Sequence, residues 1–308
     1  MSRAAADLRT ERIDLSTGVT LNVCLGGPRE AEPILFLHGF PESHRTWRNQ
    51  LADLARDHLV VAPDQRGFAG SDRPEGVENY ATDRIVQDAL ALMDALGIDH
   101  FTLAGHDWGG AVAWAAALQH PIRVRRLIIV NAPHPLLFQR SVIEHEGQRA
   151  ASQDIRFFRS PGAEAAIAAM GLDAFLEKIL LSHADPTKLP AEERQRYLDD
   201  WKQPGVLTTM LNWYRASRLE VPAVGEDASL PLWTHAPFPK LRAPALVVWG
   251  LKDPALLPIQ LDGLDELVAD LRIVTTETAG HFVTWEEPGT VTTAIREFLA
   301  ETAAGSGN

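Results

Sequence analysis

Cysteine is almost missing from this chain. Cys24 is the single one in 308 residues, so neither an intrachain disulfide nor a cysteine-built zinc site can form. Basic side chains are also short in number, 29 Lys and Arg against 41 Asp and Glu. The resulting net charge of −12 argues against nucleic acid or an anionic membrane as a partner. No apolar run approaches the roughly 18 residues that a membrane-spanning helix requires. Residues 1–16 alternate charged and small residues without an apolar stretch, so no signal peptide is expected and a cytoplasmic location is the default. The eleven histidines show no His-Glu-X-X-His or other metal spacing, and neither a metal nor a cofactor is called for. Gly-X-Ser-X-Gly does not occur, which speaks against a serine esterase.

What is present is an ordinary globular composition, 45% apolar and 23% charged, in a chain long enough for one large core with an inserted subdomain. Short apolar runs at 12–16, 19–25, 34–38, 60–64, 101–105 and 127–131 read as strands. Between them, Ile85, Ala89, Leu92, Met93 and Leu96 recur at helical spacing, which predicts a helix over 83–96 with one face against a sheet. Strands return at 245–249 and 271–276, and a closing helix is expected over 290–299. Alternation of this kind predicts an α/β fold with a mostly parallel sheet flanked by helices.

Residues 133–240 read differently. No strand run stands out, helical periodicity appears over 162–181, 191–202 and 205–218, and prolines punctuate the ends. The expected organisation is a core of 1–132 and 241–308 interrupted by an all-helical lid of 133–240. A small polar tail at 305–308 is expected to be disordered.

Chemistry concentrates around Gly105-His106-Asp107-Trp108-Gly109-Gly110, placed between a strand and an Ala-rich helix. A strand, a tight turn with glycines two positions to either side of one exposed residue, then a helix, is the layout that presents a nucleophile. Here that residue is Asp107. A carboxylate can displace a leaving group at an sp³ carbon and form an ester with it. The alternative is an ordinary helix N-cap. Turnover needs a base to hydrolyse such an ester, and His281 follows the last strand. Asp253, after the strand before it, is placed to hold that imidazole in one tautomer. Oxyanion donors should be the backbone N–H groups of Trp108 and of Phe40, in His38-Gly39-Phe40-Pro41 after the third strand. A cis peptide before Pro41 would turn the Phe40 N–H inward.

The elbow, His38-Gly39-Phe40-Pro41-Glu42-Ser43, Asn131-Ala132-Pro133-His134-Pro135 and Leu211-Asn212-Trp213-Tyr214-Arg215 together resemble the epoxide hydrolases of the α/β-hydrolase fold. The resemblance covers roughly residues 10–135 and 205–300. It implies an Asp107–Asp253–His281 triad and two lid tyrosines that hydrogen-bond the epoxide oxygen. Tyr214 matches one. The other should lie eight residues before Gly162, where this chain has Asp154. An ionised Asp154 would repel a developing alkoxide, whereas a protonated one could donate to it. Trp108, Asp154 and Trp213 are the expected substrate-binding residues, with Phe157, Phe158, Met170 and Leu180 as further candidates for shaping the pocket.

The implied partners are a small electrophile, an epoxide or an organohalide, and water; a homodimer stays open as an assembly. The same nucleophile serves haloalkane and haloacetate dehalogenases. Against the first, Phe40 replaces the usual Asn; against the second, Trp108 replaces a carboxylate-binding Arg. A non-catalytic receptor on this fold is disfavoured because all three triad residues are kept.

Overall fold

The computed structural model describes residues 7–304. The expectation for the tail at 305–308, and the first six residues of the N-terminal segment, lie outside them. Eight strands form one sheet: β1 (Arg9–Asp14), β2 (Thr20–Gly26), β3 (Pro33–Leu37), β4 (Leu59–Pro63), β5 (Phe101–His106), β6 (Val124–Val130), β7 (Ala245–Gly250) and β8 (Leu271–Thr276). Their spatial order is β1-β2-β4-β3-β5-β6-β7-β8. The β1–β2 and β2–β4 pairs are antiparallel and the remaining pairs are parallel. β5 and β7 are buried along their whole length, as the continuous apolar runs require of strands covered on both faces.

Helices α1 (Arg48–Leu54), α2 (Thr82–Ala95) and α3 (Trp108–Gln119) follow β3, β4 and β5. α2 buries Ile85, Ala89, Leu92 and Met93 on one face, as its spacing predicts. It also buries Asp88, whose carboxylate takes a two-point ion pair from Arg66 at 2.6 and 2.7 Å. That pair ties the turn after β4 to α2.

Between β6 and β7 the described residues contain no strand. Seven helices fill the gap: α4 (Pro135–Glu144), α5 (Glu146–Ala151), α6 (Gln153–Arg159), α7 (Ala163–Met170), α8 (Leu172–Ile179), α9 (Ala191–Trp201) and α10 (Val206–Ala216). The single helix expected over 162–181 is two, because Gly171 sits at φ +84° and breaks the run. α4 to α6 were not separable in the sequence, being short, with α4 and α5 capped by the His134 and His145 side chains in place of the usual Ser, Thr or Asp. After β7 come α11 (Leu264–Leu267), α12 (Val283–Glu286) and α13 (Pro288–Ala304), the last longer at both ends than its apolar pattern suggested. Among the described residues no helix is long and apolar enough to cross a membrane.

The β5–α3 turn is packed against the neighbouring strands through bare backbone. A Cβ on Gly109 would strike the carbonyls of Leu37 and His38 at the end of β3. Neither carbonyl belongs to a side chain that could rotate away. Gly109→Ala is therefore expected to lower stability by about 3 kcal/mol, in the upper range for overpacking, as read from the urea midpoint at unchanged m-value.

Candidate active site

Five neighbouring strands deliver their C-terminal ends to one edge of the sheet, where ligands gather in open α/β sheets. From β3 comes the Phe40 loop, from β5 Asp107, from β6 Asn131, from β7 Asp253 and from β8 His281. The register pairs Leu37 with Gly105, His106 with Val130, Val130 with Val248 and Gly250 with Thr276, so these residues emerge at similar height.

Asp107 lies at φ +51°, ψ −123°, a conformation that a non-glycine residue adopts at a cost of about 1–3 kcal/mol. This strain lifts the side chain clear of the turn. Its Oδ1 accepts the Phe40 N–H at 2.7 Å, and the Phe40–Pro41 peptide is cis. The neighbouring Trp108 N–H favours the charged carboxylate as well. Its other oxygen, Oδ2, faces His281 Nε2 at 3.6 Å. Across the ring, His281 Nδ1 donates to Asp253 Oδ2 at 2.7 Å. All three side chains predicted as a set are thus brought together, with Phe40 and Trp108 beside them.

Asp253 is itself fixed from three sides. Its Oδ1 accepts the backbone N–H groups of Ala255 and Leu256, both at 2.9 Å, and its Oδ2 accepts Asn131 Nδ2 at 2.7 Å. Asn131 in turn accepts the Gly250 N–H at 2.9 Å. Asn131 belongs to the Asn131-Ala132-Pro133-His134-Pro135 motif, whose sequence alone assigns it no task. Its task follows from strand order: β6 lies between β5 and β7, so the residue ending it stands between the two carboxylates.

Charge decides the protonation states. Burial pushes the Asp107 carboxyl up, but the His281 hydrogen bond, its positive charge and the Trp108 N–H outweigh this and hold Asp107 below the usual carboxylate range. Burial likewise pushes the His281 imidazole down. Asp253 and Asp107 on either side overcome it and raise His281 well above its ordinary value. Beneath them, His106 Nε2 donates to the His281 carbonyl at 2.9 Å, and its Nδ1 lies 3.6 Å from Glu42 Oε2. Burial holds His106 down at about 4 and pushes the Glu42 carboxyl up, against the hydrogen bonds from Tyr197 and Trp285 that lower it. Through its hydrogen bond, His106 holds the backbone of His281 in place. Glu42 was missed. A glutamate in a loop gives no sequence sign of being fully enclosed.

Above Asp107 is a cavity of about 280 Å³, mostly apolar, whose polar groups include Asp107, His281, Tyr214, Asp154 and His183. Tyr214 hangs from α10, which is pinned to the core by Thr209 Oγ1 to the Gly67 carbonyl at 2.6 Å and by Trp213 Nε1 to the Arg66 carbonyl at 3.0 Å. Its ring stands edge-on to Trp108 and Phe40, at 5.2 and 5.0 Å between centroids. Trp108 and Asp154 line the cavity as anticipated; Trp213 does not. One residue along the helix from Tyr214, it turns about 100° away and buries its indole between Phe68 and Trp108. Phe157, Phe158, Met170 and Leu180 are also absent from the lining, where Phe138, Ile155, Ile179 and Leu256 stand instead. Tyr197 points elsewhere and donates to Glu42 Oε1 at 2.7 Å.

Comparison with known proteins identifies the family. A family model described as the alpha/beta hydrolase fold matches residues 32–288. An AB hydrolase superfamily protein of Bacillus subtilis is 34% identical over 92% of this chain and 96% of its own. Epoxide hydrolase A of Mycobacterium tuberculosis is 31% identical over 94% of this chain and 97% of its own. A solved structure, described among novel epoxide hydrolases of the alpha/beta hydrolase superfamily from hot-environment metagenomes, is 43% identical. It covers 95% of this chain and 99% of its own, with a TM-score of 0.89.

The charge argument has a direct check. Asp107→Asn removes one of the two carboxylates that support the imidazolium, so the pKa of His281 is expected to fall from its raised value. Nitrogen-15 chemical shifts of the ring followed against pH would show it; an unmoved titration would mean that Asp253 alone sets the value.

Proposed function

Because the chain belongs to the α/β hydrolase fold family, among its epoxide hydrolases, we propose that it converts small organic epoxides to vicinal diols through a covalent ester on Asp107. The observation that carries this reading is the division of labour between the two Asp107 oxygens. Oδ1 accepts the Phe40 N–H, while Oδ2 faces His281, and the Trp108 N–H adds to the stabilisation of the carboxylate. A carboxylate held by one oxygen and free at the other is oriented for attack.

In the first step Oδ2 forms a bond to an epoxide carbon as the ring C–O bond breaks, and Tyr214 donates a hydrogen bond to the departing oxygen. Tethering the reactants side by side supplies several kcal/mol of the barrier. In the second step the ester carbonyl oxygen occupies the place of Oδ1, so the same two N–H groups receive the negative charge of the tetrahedral intermediate. Water is activated by His281, held by Asp253. Esterification itself prepares that base. With the Asp107 charge gone, His281 loses one of its two supports, its pKa falls, and it releases its proton to solvent. Asn131 acts through Asp253 as a positioning residue. The helices of 133–240 serve as the lid that keeps bulk water from the ester, and Asp154 shares the substrate space from that side.

His281→Gln incubated with styrene oxide is expected to accumulate one adduct per chain on Asp107, visible by intact mass and peptide mapping. Absence of any adduct with styrene oxide, aliphatic epoxides or 1-bromohexane would overturn the covalent reading; an adduct with the bromide alone, accompanied by halide release, would make the protein a dehalogenase. Tyr214→Phe should slow adduct formation by about 100-fold, the usual effect of removing one donor to a developing oxyanion.

A further inference from the structure

The cavity holds a second carboxyl group that the triad does not use. Asp154, near the start of α6, lines the same space as Asp107. Its Oδ1 accepts the Ile155 N–H at 2.8 Å, and among the described residues no cation is paired with it. Arg218 lines the same cavity without forming an ion pair with Asp154, and the other arginines near it are directed elsewhere. Arg149 donates to the Val142 and Glu226 carbonyls, Arg156 to Val221, Arg159 to Tyr214 and Leu219, and Arg215 to Glu164. The titratable groups that act on Asp154 are Asp107 and His281 from the core and Tyr214 from α10; His183 and Arg218 line the same cavity. A buried carboxyl without a counter-ion, sharing a small apolar cavity with another carboxylate, is placed to hold a proton.

We propose that Asp154 is a catalytic residue for ring opening, giving its proton to the epoxide oxygen as the Asp107–carbon bond forms. This rests on the covalent reading above. The balance closes. One C–O bond of the ring breaks as the ester C–O bond forms, and the Asp154 O–H is exchanged for an O–H on the product. Ester hydrolysis then leaves Asp107 as a carboxylic acid. Asp107, held below the ordinary range, gives this proton to the neighbouring His281 imidazole, the stronger base. Asp154, whose carboxyl burial pushes up to about 6, regains its proton from solvent, which balances the proton His281 released during the ester stage. Two like groups with values driven apart by their surroundings thus take the roles of nucleophile and acid.

The test measures adduct formation with styrene oxide in the His281→Gln background from pH 5 to 9, which removes the triad imidazole from the profile. With Asp154 present, the rate should fall about tenfold per pH unit on the alkaline side of the Asp154 titration. Adding Asp154→Asn should flatten this limb, since an amide donates at every pH, and Asp154→Tyr should carry activity past pH 9. Melting temperatures check that each variant is folded. A limb that persists unchanged in a folded Asp154→Asn variant overturns the proposal and assigns the titration to His183. A missing adduct in all variants overturns the covalent reading, and this proposal with it.

Discussion

A negative charge buried at the top of the sheet is the constraint around which the rest is arranged. Asp107 is largely enclosed, and enclosure alone would push its carboxyl up. Two backbone N–H groups and an imidazolium keep it ionised. Each of these needs its own support. The imidazolium needs Asp253, Asp253 needs Asn131 and two further N–H groups, and the Phe40 N–H needs the loop after β3 to approach closely. That approach needs Gly39, where a Cβ would collide with the Asp107 side chain. The chain of dependence runs outward from one carboxylate through hydrogen bonds, each of which satisfies a group that burial would otherwise penalise.

The parallel sheet makes this possible at low cost. Parallel strands all release their chains at the same edge, and neighbours lie about 4.8 Å apart. Loops from β5, β7 and β8 can therefore meet within hydrogen-bond distance, with β6 supplying the residue between them. The strained backbone at Asp107 persists because β5 and α3 are packed too tightly on both sides to relax. Precision at the site comes from rigid elements, and the loops are short.

The helical insertion is joined to this edge at chosen points. Tyr197 donates to Glu42, which Trp285 of the core also holds, Trp201 donates to the Pro41 carbonyl, and Arg45 pairs with Glu193. α9 and α10 are thus seated on the loops after β3 and β4, the first of which supplies Phe40. The consequence is that Tyr214 is located relative to Asp107 through a few buried hydrogen bonds. The cavity that results has apolar walls, with Tyr214 and Asp154 on the insertion side and the nucleophile and base on the other. An apolar enclosure strengthens every polar interaction inside it, which is what a developing alkoxide requires.

Local sequence determined a great deal here. Strand runs, the glycine-flanked elbow, the order of Asp107, Asp253 and His281, and the helical character of 133–240 were all legible, because each is a pattern of near neighbours or of strand ends. The break at Gly171 could be suspected but not decided, since a glycine within a helical pattern has two outcomes. What only the tertiary structure decided depends on separations that sequence does not encode. Asn131 gained its role from the order of strands in space, Glu42 from being covered by residues more than 150 positions away, and Trp213 lost its place at the cavity because its neighbour Tyr214 took the inward face. The state of Asp154 belongs to the same class. A carboxyl group's proton affinity is set by everything around it, and its surroundings exist only once the chain has folded.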